Sequence, residues 1–252
     1  MITTKRLPIM SFLPMVATNL ALGIPVSAVG AAEFSEAELY IELNNTDGDL
    51  GIHASIDGGP YARLEIEDPR ERRLLLIKAS GLLARQGLTQ LFFESAEPKF
   101  DELPPEEFFS RFPEGSYKIE ALSLSGEEIE ATVVLSHVLA APVDNVTING
   151  VPAAENCNAT NLPAVSEPIV IDWDPVTASH PELGKPGPVE IARYQFFVER
   201  EGIKFSVDLP PTVTQFQVPA QILALGDKFK FEIIARTVTG NNTAIENCFI
   251  LQ

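Results

Sequence analysis

The densest group of side chains that could do chemistry is the segment 44–51, which reads Asn-Asn-Thr-Asp-Gly-Asp-Leu-Gly. Asn45, Asp47 and Asp49 are spaced like the first three ligands of a calcium loop, and oxygen donors at alternate positions suit that ion. The match to the EF-hand pattern ends there, because the glycine required at the sixth position is missing. Two interpretations stay open: a calcium site made by Asp47, Asp49 and Asp57, or a hairpin turn, for which Asp-Gly is a favoured dipeptide.

The two cysteines, Cys157 and Cys248, both lie in the last hundred residues. In an oxidising compartment an even pair is typical of a disulfide, so we expect a Cys157–Cys248 bridge. The alternative is two unpaired buried thiols. A metal site that uses both cysteines lacks support because the histidines, His53, His137 and His180, are scattered along the sequence.

The remaining polar residues carry no catalytic signature. The sequence contains no G-x-S-x-G, H-E-x-x-H, P-loop or G-x-G-x-x-G motif. His53 alternates with apolar neighbours, so we expect it on a solvated face rather than in a catalytic role. Glu94 with Glu97 could supply the paired carboxylates of a glycosidase, but carboxylates are so frequent here that such a pair has little specificity. We assign no catalytic residue and no cofactor-binding residue.

The first 32 residues are typical of a secretory signal peptide. Lys5 and Arg6 form a positive start, an apolar run covers 7–26, and small residues close the segment at 26–32. This order of charge, apolar run and small residues differs from that of a membrane span, because no stop-transfer pattern follows. The alternative is a buried N-terminal helix. The signal peptide places the mature chain in a secreted or periplasmic location.

The charge and hydropathy of the chain exclude two classes of partner. The formal net charge is −17, and the sequence has no stripe of lysine and arginine. Such a surface repels phosphate backbones, so we expect no nucleic-acid partner. After the signal peptide, no apolar run approaches the ~20 residues that a membrane helix requires. We therefore expect no membrane span in the mature chain.

Alternation of apolar and polar residues dominates the rest of the chain and predicts strands. The continuous apolar run 74–77 favours a central strand, and 104–112 favours a short helix with an apolar stripe of phenylalanines. A turn-rich stretch around 143–156 predicts a linker. We therefore expect an N-terminal β-sandwich domain over 33–142 and a second β-sandwich over 157–252.

The second of these domains resembles a fibronectin type III domain. The pieces that carry the resemblance are 171–175 (Ile-Asp-Trp-Asp-Pro), 194–198 (Tyr-Gln-Phe-Phe-Val) and 223–235, with its Leu-x-x-Gly-x-x-Phe-x-Phe-x-Ile-x-Ala pattern. They are similar to the second strand with its core tryptophan, to the third strand, and to the turn into the sixth strand. The sequence departs from the family at Phe229, where that family has the tyrosine of a tyrosine corner. Phe229 fills the core without the hydroxyl, and the Cys157–Cys248 bridge is a candidate replacement.

The N-terminal domain repeats the end of this pattern more weakly. The segment 115–126 is similar to 229–240 when Gly126 is aligned with Gly240. We therefore expect an all-β chain of two tandem immunoglobulin-like or fibronectin III-like sandwiches. The whole chain is also similar to secreted bacterial proteins that carry such domains, a resemblance that implies no activity.

Two functions from different classes follow from these observations. The first is a secreted, non-enzymatic binding or structural module whose partner is an extracellular or envelope protein or a glycan. The second is a secreted hydrolase directed at glycans, with an accessory fibronectin III-like domain. Because loops at the ends of a sandwich carry binding functions, the long loop 174–190 is the expected recognition surface.

Overall fold

The computed structural model describes residues 32–200 and 202–252, which form one compact unit. Apart from Ala32, the segment predicted as a signal peptide lies outside the described residues. Among the described residues the strands are β1 (Ala32–Glu33), β2 (Glu36–Asn44), β3 (Asp49–Glu67), β4 (Arg73–Lys78), β5 (Leu88–Glu94), β6 (Gly115–Ser123), β7 (Glu128–Leu135), β8 (Thr147–Ile148), β9 (Val151–Pro152), β10 (Ala164–Val165), β11 (Val170–Asp172), β12 (Ile191–Arg200), β13 (Ile203–Leu209), β14 (Gln215–Gln217), β15 (Lys228–Thr237) and β16 (Asn242–Leu251). The helices are α1 (Leu83–Gln86), α2 (Pro105–Arg111) and α3 (Ala220–Leu223).

The N-terminal module, β1 to β7, is organised by the long strand β3. Its first half pairs with β2 and β5, and its second half pairs with β4 and β6. The change of partners falls at 57–61, where Gly58, Gly59 and Pro60 interrupt the side-chain alternation and the register shifts. One strand thereby serves both layers, and the inner residues of both halves share one hydrophobic cluster.

The C-terminal module, β8 to β16, is a sandwich of two sheets. One sheet has the order β14-β11-β8-β9, and the facing strands run β13-β12-β15-β16. Its core is unusually aromatic, with Trp173 edge-on to Tyr194 at a centroid separation of 5.6 Å and Phe229 stacked on Phe249 at 5.1 Å. This strand order and the core tryptophan after β11 are those of a fibronectin type III sandwich, as the sequence predicts.

The two modules share one continuous sheet. β16 pairs in parallel with β2, with Asn242 opposite Glu42 and Ala244 opposite Asn44. The sheet therefore runs without interruption from β13 at one edge, through β16 and β2, to the strands of the N-terminal module. This hydrogen-bonded junction fixes the modules against each other, which a flexible linker would not do.

Several sequence expectations can be compared with this fold. The all-β prediction is confirmed, and α2 lies within the predicted helix. The run 74–77 was expected to be central, but β4 pairs only with β3 and is an edge strand. The predicted linker 143–156 contains β8 and β9, and β8 pairs with β11. The division into domains at 33–142 and 157–252 stays a prediction.

The structure contains the disulfide that the two cysteines predict. Cys157 and Cys248 form a disulfide with their Cα atoms 5.4 Å apart, a separation within the usual range for such bridges. No helix in the part of the chain that the structure describes has the length and apolar content required to cross a membrane.

Candidate functional site: a groove across the shared sheet

The outer face of the shared sheet carries a groove to which both modules contribute. Side chains that point away from the two cores alternate with core residues along each strand, so neighbouring strands bring them into rows. The groove has a volume of about 500 Å³. Its lining residues are Tyr40, Glu42, His53, Phe92, Glu94, Arg193, Gln195, Phe197, Glu199, Lys204, Glu232, Ile234, Arg236 and Asn242. We call this feature the groove.

The floor of the groove is held by Arg236 of β15, which is 6% exposed. Its Nη2 donates to Glu38 Oε2 at 2.6 Å, its Nη1 donates to Asn242 Oδ1 at 3.2 Å, and its guanidinium lies 4.5 Å from the centre of the Tyr40 ring. These contacts join both modules through a cation–π pair and charge-assisted hydrogen bonds. The floor is therefore preformed.

Asn241 fixes the junction beneath the groove. It is 1% exposed, its Oδ1 accepts from the backbone N–H of Ile41 at 2.9 Å, and its Nδ2 donates to the carbonyls of Ser136 and Val138. One side chain thereby satisfies three backbone groups from two other segments of the chain. Nothing in the local sequence pattern predicts this role, because these partners are more than 100 residues away.

A cluster of potential metal ligands lies at the N-terminal side of the groove. His53 Nε2 donates to Glu97 Oε1 at 2.8 Å, and one ligand atom each of Glu42, His53 and Glu97 lies within 4.8 Å of the others. His53 is 3% exposed. The expectation that His53 is solvated is therefore wrong: it faces the polar side of the sheet, but the groove residues cover it.

The charges around His53 explain its titration. Burial acts to lower the pKa of His53, but the hydrogen bond to Glu97 and the charges of Glu42, Glu97 and Glu94 outweigh it. The pKa of His53 therefore lies above its ordinary value. A proton or a cation at this position is favoured by its acidic neighbours.

A second acidic pair lies on the C-terminal side of the groove. Glu232 and Glu246 are directly opposite each other on β15 and β16. Burial, followed by the charge of Glu246, raises the pKa of Glu232 to about 7. Glu246 is held by Lys230 Nζ at 2.6 Å and by Asn44 Nδ2 at 3.2 Å. Glu232 can therefore hold a proton near neutral pH.

The predicted calcium ligands do not converge in the structure. Residues 45–48 form the turn between β2 and β3, with Gly48 at φ 70° and Asn44 Oδ1 accepting from the N–H groups of Thr46 and Asp47. Asp57 lies eight residues further along the same strand as Asp49, which separates them by about 26 Å. The structure places Asp47 and Asp49 near each other and Asp57 elsewhere.

Asp49 nevertheless occupies an unusual environment. Burial, and then the charges of Glu97 and Asp47, raise the pKa of Asp49 to about 6. Its Oδ1 is buried and finds no hydrogen-bond donor among the described residues. The loop that the sequence singled out therefore delivers one carboxylate to the neighbourhood of Glu97.

The loop 174–190, which is the expected recognition surface, contacts the N-terminal module at three positions, while most of its residues are exposed. His180 is 9% exposed, and its Nε2 lies 3.0 Å from Asn45 Oδ1. Lys185 Nζ bonds Glu114 Oε2 at 2.6 Å, and Leu183 packs against the N-terminal core. The loop therefore touches the N-terminal module at these points, and its role as a recognition surface stays a prediction.

A larger cavity of about 870 Å³ is lined mainly by 141–146, 152–153, 155–156 and 174–178, and also by Asn45 and Glu246. Its described lining contains no aromatic, basic or histidine side chain. The groove combines aromatic rings, guanidinium groups, amides and carboxylates in one concavity, which is the composition of a ligand site.

Comparison with known proteins gives a fold likeness only. No protein-family model matches the chain, and no curated protein matches it either. Among solved structures, a two-domain fibronectin type III segment of chicken tenascin is 11% identical, with a TM-score of 0.26, over 86% of this chain and 98% of that one.

Two further solved structures are similar at the same level. The fibronectin III array of RIM-binding protein is 12% identical over 91% of this chain and 66% of that one, with a TM-score of 0.28. A tetra-tandem repeat of a large adhesion protein is 12% identical over 86% of this chain, with a TM-score of 0.28. This chain spans 50% of that adhesion-protein structure. At TM-scores this low the overlays are loose, so the fold assignment rests on the strand order and core described above.

Proposed function

We propose that this chain is a secreted or periplasmic, non-enzymatic binding module that holds a neutral glycan in the groove. The single observation that carries the proposal is the composition of the groove, in which aromatic rings and hydrogen-bonding side chains from both modules share one concave, preformed surface. The disulfide supports an oxidising compartment.

The aromatic residues of the groove supply the apolar contacts that such a ligand needs. Phe92 is 58% exposed on β5, and Tyr40 and Phe197 lie on strands from the two modules. An exposed large aromatic ring in a concavity is typical of a binding surface. The apolar face of a sugar ring can stack on such a side chain while its hydroxyl groups stay hydrated.

The polar residues of the groove offer hydrogen bonds that would orient a bound glycan. Asn242, Gln195 and Arg193 offer donors, and Glu94 and Glu232 offer acceptors. Because the chain carries a net charge of −17, a neutral ligand fits the groove better than a polyanion. A rigid floor also lowers the entropy that binding must overcome.

Binding of the purified chain to an array of neutral oligosaccharides, followed by calorimetry on the best ligand, tests the proposal. We expect Phe92→Ala to weaken binding at least tenfold. The matched control is Val134→Ala, which removes an exposed apolar side chain (64% exposed) on β7, a strand that lines no part of the groove. Equal affinity of Phe92→Ala and the parent chain, or capture of a protein partner without any glycan binding, would contradict the proposal.

Glycoside hydrolysis is a second candidate, and the pKa of Glu232 favours it. A carboxyl whose pKa is raised to about 7 can act as a general acid near neutral pH. Against it, Glu246 is held in ionic and amide contacts by Lys230 and Asn44 and is 7% exposed, so it is poorly placed as a nucleophile. Reducing-sugar release that Glu232→Gln abolishes would establish this candidate over the binding module.

A further inference from the structure

We propose that Glu42, His53 and Glu97 bind a divalent transition metal ion, with Zn²⁺ as the best match. The donor set is one imidazole nitrogen and two carboxylates, which suits Zn²⁺ better than Ca²⁺, whose preferred ligands are all oxygens. The proposed site differs from the sequence-predicted calcium site in its residues and in its ion.

The three ligands come from separate segments that the fold brings together. His53 lies on β3, Glu42 lies on the neighbouring strand β2, and Glu97 follows β5. Their ligand atoms lie within 4.8 Å of one another. A tetrahedral zinc site with bonds of about 2.1 Å needs ligand separations of about 3.4 Å. The His53 Nε2–Glu97 Oε1 distance is already 2.8 Å, so a bound ion would replace this hydrogen bond and move the two atoms slightly apart, which the 25% exposed Glu97 side chain allows.

Gly51 provides an independent sign that the site is built. It lies two residues before His53 on the same face of β3 and directly opposite Glu42. A Cβ atom at position 51 would overlap the carboxylate of Glu97. The absent side chain therefore leaves the space in which Glu97 reaches across the strand to His53.

Two neighbouring residues orient the proposed ligands Glu42 and His53. Asn242 Nδ2 donates to Glu42 Oε2 at 2.7 Å, which orients that carboxylate from the C-terminal module and leaves Oε1 free. The Tyr40 ring lies 5.3 Å from the imidazole of His53 and limits its rotation. Such outer contacts are a regular part of metal sites and change metal affinity 10- to 100-fold.

The arrangement leaves a fourth coordination position for a water molecule or a ligand in the groove. Three protein ligands and one open position are typical of zinc sites that contact a substrate or ligand. The inference stands on the cluster itself and holds whether or not a glycan occupies the groove.

Isothermal titration of the chelator-treated, full-length chain with Zn²⁺ tests the proposal. We expect one site, with affinity at least tenfold lower in Glu97→Gln and in His53→Gln. Glu130→Gln is the matched control, because it removes an exposed carboxylate on β7, a strand that lines no part of the groove. Co²⁺ titration should give the visible absorption of a bound nitrogen and oxygen ligand set, which Glu97→Gln removes.

Two further variants separate the site from general attraction to an acidic surface. Gly51→Ala retains all three ligands but displaces Glu97, so we expect weaker Zn²⁺ binding with unchanged secondary structure. Asn242→Ala should weaken binding about tenfold through the position of Glu42. If His53→Gln fails to fold, Glu97→Gln decides, because its side chain is partly exposed. Absence of Zn²⁺ binding, or equal binding by Glu97→Gln, Glu130→Gln and the parent chain, would overturn the proposal.

Discussion

The two modules are similar β-sandwiches that are stabilised by different interactions: a tyrosine-corner hydrogen bond in the first and a disulfide in the second. In the N-terminal module, the Tyr117 hydroxyl at the start of β6 donates to the carbonyl of Pro113 at 3.0 Å, which is the hydrogen bond of a tyrosine corner. In the C-terminal module, Phe229 occupies the equivalent place at the start of β15 and has no hydroxyl. That module has the Cys157–Cys248 bridge instead.

The hydrophobic cores of the two modules also differ, in their content of aromatic side chains. The C-terminal core is dominated by Trp173 and by rings from β12, β15 and β16, whereas the N-terminal core is mainly aliphatic and is organised by the bend of β3. The C-terminal module therefore combines a disulfide with an aromatic core, whereas the N-terminal module combines a tyrosine-corner hydrogen bond with a mainly aliphatic core. The comparison predicts which substitutions each module tolerates.

The largest expected effect is that of Trp173→Ala. Trp173 is 2% exposed and packs edge-on against Tyr194, so its removal should destabilise the chain by about 3–5 kcal/mol. Because β16 and β2 share a sheet, we expect one cooperative transition in chemical denaturation followed by circular dichroism. Trp173→Phe is the control and should lose less. Two separate transitions would show that the modules unfold independently.

Removal of the disulfide should reduce the free energy of unfolding by the next largest amount. The bridge closes a loop with a sequence separation of 91, for which the chain-entropy model gives about 4–5 kcal/mol as an upper figure. We expect the double variant Cys157→Ala/Cys248→Ala to lose about 3 kcal/mol. The two-alanine variant avoids a free thiol. An unchanged denaturation midpoint would mean that the disulfide does not contribute to the stability of this module.

Asn241→Ala tests the junction between the modules. It leaves one buried and two partly buried backbone groups without their partner, and a buried group left in this way costs about 1 kcal/mol or more. We expect a loss of about 2–3 kcal/mol and faster amide exchange at Ile41. Asn158→Ala, at an exposed asparagine, is the matched control. Equal stability of the two variants would show that the shared sheet holds without this side chain.

Tyr117→Phe removes only the hydroxyl of the tyrosine corner. We expect a loss of about 1–1.5 kcal/mol, because one hydrogen bond disappears and the Pro113 carbonyl loses its donor. Tyr194→Phe is the useful comparison, since the Tyr194 hydroxyl accepts from the Val176 N–H at 2.8 Å. If Tyr117→Phe leaves the free energy of unfolding unchanged while Tyr194→Phe lowers it, the tyrosine corner does not stabilise the N-terminal module.

The smallest expected effect concerns pH. The pKa of Glu232 is about 7 in the folded chain, against an ordinary value of 4.5, because of burial and the charge of Glu246. The folded state therefore binds a proton that the unfolded state releases, so this contribution to stability is complete below about pH 4.5 and is lost as the pH rises through about 7. We expect Glu232→Gln to be more stable than the parent chain at pH 8, by on the order of 1 kcal/mol.

Thermal melts at pH 5 and pH 8 measure this effect. The melting temperature of Glu232→Gln should depend less on pH than that of the parent chain, and Glu199→Gln should behave like the parent. The same pH dependence in all three chains would assign it to other groups.

Local pattern was sufficient for much of the fold. Apolar alternation located strands, the pieces around Trp173, Tyr194 and Phe229 indicated a fibronectin III-like sandwich, and the two cysteines predicted their bridge. Errors arose where pairing decides the outcome. The apolar run 74–77 reads as a central strand, but it forms the edge strand β4, in which Leu76 is 42% exposed, because an apolar run does not encode which strands pair with it.

The sequence by itself determined the acidic, all-β character of this protein, because composition and the side-chain period of a strand act locally, and its two cysteines predicted the Cys157–Cys248 bridge. Only the tertiary structure decided where polar groups meet. His53 and Glu97 are separated by 44 residues and Glu42 and Asn242 by 200. The pairing of β2 with β16 creates the groove, and the absent side chain of Gly51 leaves room for Glu97. Such contacts depend on register between distant strands, which a residue's immediate neighbours in sequence do not encode.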